Sequence, residues 1–187
     1  ALIAVETIEA SSAAIYYLGH STFVTAALFL LADLIGRQRG NVLDGITAGP
    51  PFAQPRLLGV CFLIAALAVI GMPPLSGFIG KVWLLEATLN AEYTYVFWPL
   101  YLLASLMILV GVSKAGSTVF WHHEGEVTKS GEQHRVHPAQ LAALIILISG
   151  APLMSLFAGP LSEYAMGAAT QLHDFNNNIK VILLGGQ

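Results

Sequence analysis

Residues 65–87, AALAVIGMPPLSGFIGKVWLLEA, decide how this chain folds, because an apolar run is interrupted in its middle. The interruption at residues 71–77 holds Gly71, Pro73, Pro74 and Gly77, and Gly80 follows closely and is counted with the helix break. Proline lacks a backbone N–H and glycine favours non-helical conformations, so the hydrogen-bond ladder of a helix is predicted to break here. The apolar runs on either side, at 57–70 and 78–89, are each shorter than the roughly 20 residues that span a bilayer.

The composition places the chain in a membrane. Of its 187 residues, 56% are hydrophobic and only 10% are charged, and the mean hydropathy is +0.70. A soluble domain carries about 25% charged residues, so this chain has too few charges to solvate a globular surface. Together with a net charge of −3, this argues against a soluble enzyme, a disordered segment and a nucleic-acid binder. We expect an all-α integral membrane protein with antiparallel transmembrane helices, one of them discontinuous.

Four membrane passes are predicted within a single transmembrane domain at residues 1–187. They are expected at about residues 14–35, 57–90, 95–120 and 139–158, with the second broken at 71–77 and a tail at 159–187. The chain opens at Ala1 without the basic stretch and cleavage site of a signal peptide. We therefore expect it to be the C-terminal part of a longer subunit.

The flanking charges distinguish one interrupted second pass from two short passes, because Lys and Arg collect on the cytoplasmic side of membrane helices. With one interrupted pass, the two basic loops share one side, and the opposite side receives four Glu and no Lys or Arg. The five basic residues of these loops are Arg37, Arg39, Arg56, Lys129 and Arg135. Two short passes would separate the basic loops, so the charges favour one interrupted pass with both loops cytoplasmic.

Lys81 lies just after the interruption, where an ammonium at the bilayer midplane costs roughly 2.5 to 3.5 kcal/mol. The exposed backbone of a broken membrane helix is tolerated only where it is buried in protein or lines a hydrated cavity. Desolvation and the positive end of the following half-helix both favour the neutral amine, which makes Lys81 a candidate proton carrier. The alternatives are a lysine that extends to the membrane interface and one held in a fixed ion pair.

His20 lies about two turns into the first pass, with Tyr16 one turn earlier on the same face. An imidazole exchanges protons near neutral pH, so His20 is a candidate proton relay, although a lone His is more often a hydrogen-bonded structural residue. Asp33 follows 13 residues later and faces away from His20. We expect Asp33 to pair instead with Arg37, one turn further on.

Other polar residues give weaker indications. Three residues are weaker candidates for proton transfer: Lys114, late in the third pass, Tyr16, one turn before His20, and Glu86, near the outer end of the second pass. Four of the six histidines share one loop, at His122, His123, His134 and His137. Their spacing matches no zinc motif and leaves their role open, so neither a metal nor a cofactor is predicted.

Two segments resemble a known family. Residues 65–87, quoted above, and residues 16–40, YYLGHSTFVTAALFLLADLIGRQRG, are similar to the antiporter-like membrane subunits shared by respiratory complex I and the Mrp-type multisubunit sodium/proton antiporters. The pattern Gly-x-Pro-Pro-x-x-Gly-Phe-x-Gly-Lys resembles the last discontinuous helix of that family. The ADLIGRQRG ending and the closing NNIKVILLGGQ resemble the Mrp D subunit more than the complex I members. The resemblance covers nearly the whole chain, but only the last four helices of the family fold.

The resemblance implies roles for individual residues. Lys81 matches the family's terminal proton-carrying Lys or Glu, and His20 matches a His of the preceding helix on the polar axis. It also implies a secondary transporter subunit, not an enzyme, in a bacterial inner membrane, where H⁺ is exchanged for Na⁺ or another monovalent cation. The implied partners are the remaining N-terminal helices, other antiporter subunits and the lipid bilayer. Two alternatives stay open: a proton-translocating subunit of a complex I-like quinone oxidoreductase, and a scaffold without its own transport path.

Overall fold

The computed structural model describes residues 7–39, 54–89, 91–121 and 136–184, with side chains to residue 175. These parts form six helices and contain no strand: α1 (Ile8–Arg39), α2 (Pro55–Ile70), α3 (Ser76–Ala87), α4 (Thr94–Trp121), α5 (Pro138–Leu156) and α6 (Ala158–Leu184). Three of them, α1, α4 and α5, are long and apolar enough to cross a membrane, and α2 is a shorter apolar helix. The predicted all-α class is confirmed for the described residues.

Glycine closes α2 and so fixes where the chain leaves that helix. Gly71 adopts φ = 79°, a left-handed conformation that glycine enters without steric cost. The N–H of Gly71 and the N–H of Met72 both bond to the Leu67 carbonyl, at 3.1 and 3.0 Å, which satisfies the last carbonyls of the helix. Residues 71–75 then connect α2 to α3.

Gly77 and Gly80 lie inside α3, whereas the sequence predicted both to lie in the break. A single glycine costs a helix about 1 kcal/mol, which is too little to end it. A Cβ on Gly77 would collide with the Ala68 carbonyl oxygen, and a Cβ on Gly80 would lie 2.9 Å from the Tyr17 ring. The two glycines therefore allow α3 to approach α2 and α1 closely.

Helix α1 is the centre of the bundle and packs against α2, α3, α5 and α6. Its buried side chains Ala27, Leu31 and Leu34 meet Leu58 of α2 and Leu144 of α5 in one apolar cluster. Each of these five side chains is at most 2% exposed. Burial on this scale fixes which face of α1 points towards its neighbours, and with it the face that carries His20.

The last turns of α1 carry the predicted ion pair. Arg37 Nε lies 2.8 Å from Asp33 Oδ2, as the i, i+4 spacing predicted. Both side chains are about half exposed, at 61% and 46%. An exposed pair of this kind contributes less than about 1 kcal/mol, and it leaves Asp33 without any contact to the polar centre of the protein.

Residues 159–187, for which the sequence predicted only a tail, contain most of the 27-residue helix α6. This helix is not among the described helices that are apolar enough to span a membrane. It packs against α1 through the fully buried Ala165 and Ala169. A 3.0 Å hydrogen bond joins His173 of α6 to Ser11 of α1, which ties α6 to the beginning of the central helix.

Candidate proton-transfer site

Lys81 lies in the second turn of α3 and is 9% exposed. Its Nζ donates to the Ile70 carbonyl at 2.8 Å and to Ser105 Oγ at 3.2 Å. Because α2 ends at Ile70, the amine meets the negative end of the α2 dipole. Among residues 7–39, 54–89, 91–121 and 136–175, no carboxylate pairs with Lys81. One amine thus connects α2, α3 and α4 without being fixed in an ion pair there.

His20 lies on the face of α1 that meets the start of α3. It is 3% exposed, and its Nδ1 lies 2.8 Å from Ser76 Oγ. Its Nε2 and the Ala68 carbonyl oxygen at the end of α2 both border Gly77, and the Lys81 amine bonds to the Ile70 carbonyl two residues after Ala68. Because like charges repel, a proton on His20 and a proton on Lys81 oppose each other.

Two tyrosines extend this polar region and were missed in the sequence. The Tyr17 ring lies 5.7 Å from the His20 ring, centroid to centroid, and Tyr17 also interacts with Tyr101 of α4. The Tyr101 hydroxyl is buried and has no partner with good hydrogen-bond geometry among the described residues. Tyr101 precedes Ser105 by one helical turn, so both side chains lie on the same face of α4.

The serine partners were also missed. Ser76 is fully buried at the start of α3, and Ser105 is half-buried in the middle of α4. A single serine in an apolar helix has no distinctive spacing, since its hydroxyl often bonds to the backbone of its own helix. The position of Ser76 shortly after the Pro-Pro pair was the one available signal.

The weaker candidates lie apart from this pair. Tyr16 is buried, and its hydroxyl donates to the Met154 carbonyl of α5 at 3.0 Å. Glu86 and Lys114 are both exposed, and neither contacts Lys81 or His20. The structure therefore brings together only Lys81 and His20 of the predicted proton-transfer residues.

The histidine loop is described only at its end. His122, His123 and His134 lie outside the described residues. His137 caps α5: its Nδ1 accepts the Ala139 N–H at 3.3 Å, and Gln140 completes the reciprocal bond of a capping box. In the described part of the chain, no group of three or more His, Cys, Asp or Glu side chains is placed to hold a metal ion.

This arrangement supplies groups suited to moving a proton. An amine and an imidazole both take up and release protons, and serine and tyrosine hydroxyls can donate and accept in turn. The amine and the imidazole lie where α2 ends and α3 begins, beside the Ile70 carbonyl and the Ser76 hydroxyl.

Comparison with known proteins identifies the family. Residues 1–108 match the family described as NADH:quinone oxidoreductase/Mrp antiporter, TM. The chain is 34% identical to the D subunit of the Na(+)/H(+) antiporter of Bacillus subtilis over 97% of its length, and 29% identical to the D subunit of a probable K(+)/H(+) antiporter of Rhizobium meliloti over 85%. It is also 29% identical to the N subunit of the NADH-quinone oxidoreductase of Heliobacterium modesticaldum over 77% of its length.

The chain spans about a third of the length of these curated relatives, at 36%, 34% and 29% respectively. The family match covers more than half of the chain and includes the whole of α1, α2 and α3. The resemblance seen in residues 16–40 and 65–87 is thereby confirmed. The protein is a membrane protein that belongs to the NADH:quinone oxidoreductase/Mrp antiporter transmembrane family.

Proposed function

We propose that this chain is part of a D-type subunit of a multisubunit monovalent cation/proton antiporter, and that it carries one section of the transmembrane proton path. In this path Lys81 alternates between its charged and neutral forms and exchanges a proton with His20 through water. Cation movement elsewhere in the assembly shifts that equilibrium electrostatically. The driving force is an ion gradient, so the chain acts as a transporter subunit and not as an enzyme.

The observation that carries the proposal is the placement of Lys81. Its amine is held by a carbonyl and a hydroxyl, its side chain is 9% exposed, and it has no carboxylate partner in the described part of the chain. A buried lysine that was only structural would be expected in a fixed ion pair, since an unpaired charge is costly to bury. A polar setting without a counter-charge suits a group that spends part of its time neutral.

The proposed membrane placement has four passes in a bacterial inner membrane. Helices α1, α4 and α5 cross singly, and α2 and α3 form one interrupted pass with the break near mid-membrane. Arg37, Arg39 and Arg56 then face the cytoplasm, as the distribution of basic residues favours. In this placement the Lys81 amine lies close to the break, at the depth where a buried charge is most costly. Ionisable residues kept at that depth typically mark ion or proton pathways.

The assembled antiporter tests the proposed function. Reconstituted in vesicles with a pH-sensitive dye inside, it is expected to move protons when a Na⁺ or K⁺ gradient is applied, and to do so without NADH or quinone. Both gradients are tested because one relative is named as a Na⁺/H⁺ antiporter subunit and another as a K⁺/H⁺ antiporter subunit. Proton movement that appears only when a quinone is reduced would instead support the complex I-like alternative. That alternative is motivated by the similarity to an oxidoreductase subunit.

His20→Gln tests the proposed relay. Glutamine keeps a hydrogen-bonding group near Ser76 but cannot take up a proton at neutral pH, so we expect proton exchange to fall by about tenfold to a hundredfold. Cation-driven dye response in vesicles measures the loss. His173→Gln is the matched control, because among the described residues the hydrogen bond of His173 goes to Ser11 at the start of α1. If both variants exchange protons at the same rate, His20 is not part of the proton path.

A scaffold without its own path makes a different prediction for the same variants. If α1 to α5 only support partner subunits, substitutions at the polar pair alter the amount of assembled complex and leave the rate per complex unchanged. Quantifying the complex in each membrane preparation separates this outcome from a transport defect.

A further inference from the structure

A cavity of about 850 Å³ lies at the opposite end of α1 from Arg37 and Arg39. Three carboxylates line it from three different helices: Glu9 of α1, Glu86 of α3 and Glu163 of α6. We call this cavity the acidic vestibule. Its remaining polar lining includes Thr7, Ser12 and Ser162, and no Lys, Arg or His of the described residues contributes to it.

The charge balance of the acidic vestibule is negative. The starts of α1 and α6 each bring roughly half a positive charge towards it, and the end of α3 brings roughly half a negative charge. The helix ends together thus supply far less positive charge than three carboxylates carry, and a cleft lined by one sign of charge concentrates the opposite ion. The ligand that this chemistry selects is a cation.

Ser12 is an independent sign of a ligand. It is only 6% exposed, yet its hydroxyl has no hydrogen-bond partner among the described residues. Serine in a helix usually returns its hydroxyl to a carbonyl of the preceding turn, as Ser149 does with Ile146 at 2.8 Å. Ser12 instead lines the acidic vestibule, where its oxygen is available to a cation or to the water around one.

The acidic vestibule leads towards the Lys81–His20 pair. On α1 and α3 the groups follow in the same sequence from the vestibule inwards: Ser12, Tyr16 and His20 on α1, and Glu86, Trp83 and Lys81 on α3. Trp83 lines the vestibule, and its ring meets the Tyr16 ring edge to face with the centroids 4.8 Å apart. Glu86 is about 7.5 Å from Lys81 along the helix axis by helical rise.

We propose that the acidic vestibule gathers a hydrated monovalent cation on the side opposite the basic loops, with Ser12 as its buried polar contact. This rests on the proposed function and names the site where its cation is collected. The carboxylates do not form a cluster tight enough to strip and hold a metal ion. A weakly held ion that keeps most of its water suits a transport cycle, because it can leave as readily as it enters.

The decisive variant is Ser12→Ala, measured in the assembled antiporter with Na⁺ as the probe. Because the hydroxyl has no protein partner in the described structure, its loss breaks no contact that holds the fold together. We expect the half-saturating Na⁺ concentration to rise about twofold to fivefold while the maximal rate is kept. An unchanged half-saturating concentration would overturn the assignment of Ser12.

The carboxylates are tested together as Glu9→Gln, Glu86→Gln and Glu163→Gln. The triple variant is expected to raise the half-saturating Na⁺ concentration about threefold to tenfold at low ionic strength, and about 1 M choline chloride should shrink the difference. Glu92→Gln is the matched control, because Glu92 is exposed on the same side but does not line the vestibule. If the half-saturating Na⁺ concentration rises equally in the triple variant and in the control, the effect comes from general surface charge and the vestibule is not the site.

A second readout does not depend on transport. Cys61 is the single cysteine of the chain, so a Cys61→Ser, Ala87→Cys variant carries one thiol on the vestibule wall. A cationic methanethiosulfonate reagent should label it faster than an anionic one, and the triple glutamine variant should lose most of that preference. Tyr93→Cys, outside the vestibule, is the matched position.

The outcomes separate the two proposals. If the wild-type assembly moves no protons in response to Na⁺ or K⁺, the proposed function fails. If it does, but the labelling preference and the half-saturating concentration are the same in the wild-type and triple variants, only the acidic vestibule is rejected.

Discussion

Replacing Lys81 by alanine in the assembled antiporter is expected to reduce cation-driven proton exchange by about 100-fold or more. The variant removes the proton-carrying amine from the centre of the path, and loss of a group that transfers a proton typically costs a factor of about 10² to 10⁴. The Ile70 carbonyl and the Ser105 hydroxyl lose their shared partner, but water can replace the amine at a break in a helix. Assembly is therefore expected to survive, and the amount of complex in the membrane should match wild type.

Lys81→Arg separates a proton carrier from a fixed charge. Arginine keeps the positive charge but stays protonated, so a carrier role predicts that this variant is as inactive as the alanine variant. If a positive charge is sufficient, Lys81→Arg will retain exchange, and the carrier role is rejected. Lys114→Ala is the matched control, because Lys114 is exposed on α4 and contacts none of the site residues. It should leave the exchange rate within about twofold of wild type.

Gly77→Ala is expected to be the most damaging glycine-to-alanine change among the described glycines. The added Cβ would collide with the Ala68 carbonyl oxygen and lie 2.8 Å from His20 Nε2. A backbone oxygen cannot rotate away as a flexible side chain can, so α3 must move from α2. Overpacking of this kind costs about 1 to 3 kcal/mol, and the shift also displaces the His20 ring from Ser76. Thermal unfolding in detergent and transport should both be impaired.

Gly111→Ala is the control for that change, since nothing lies within 4 Å of the Cβ it would add. Alanine favours a helix over glycine by about 1 kcal/mol, so this variant is expected to be neutral or slightly more stable. Equal melting temperatures for the two variants would show that the close contact between α2 and α3 at Gly77 is not required.

The sequence predicted the polar residues whose chemistry is unusual in lipid. Lys81 and His20 were identified because an ionisable group in an apolar run is rare, and the Pro-Pro pair located the end of α2 to within a few residues. The Asp33–Arg37 pair was also predicted correctly, because an i, i+4 contact depends only on the geometry of one helix.

The hydrogen-bond partners of those residues could not be predicted from the sequence. Ser76 and Ser105 become recognisable only when α1, α3 and α4 are placed side by side, since neither has a distinctive spacing. Gly77 looked like a helix breaker, and its role in close packing depends on the position of the Ala68 carbonyl. Helix α6 is too polar for a membrane pass, so the search for apolar runs did not reveal it, although it is the most amphipathic of the described helices.

The contact between Lys81 and Ser105 has a mechanical consequence. Helix α4 contributes that hydroxyl, yet in the described structure it packs chiefly on α2, and Gly116 is its one buried residue. A sideways displacement of α4 by about 1 Å would stretch the 3.2 Å contact beyond hydrogen-bond range. Pressure on the outer flank of α4, from lipid or from another protein, would thereby loosen the lysine from one of its two anchors.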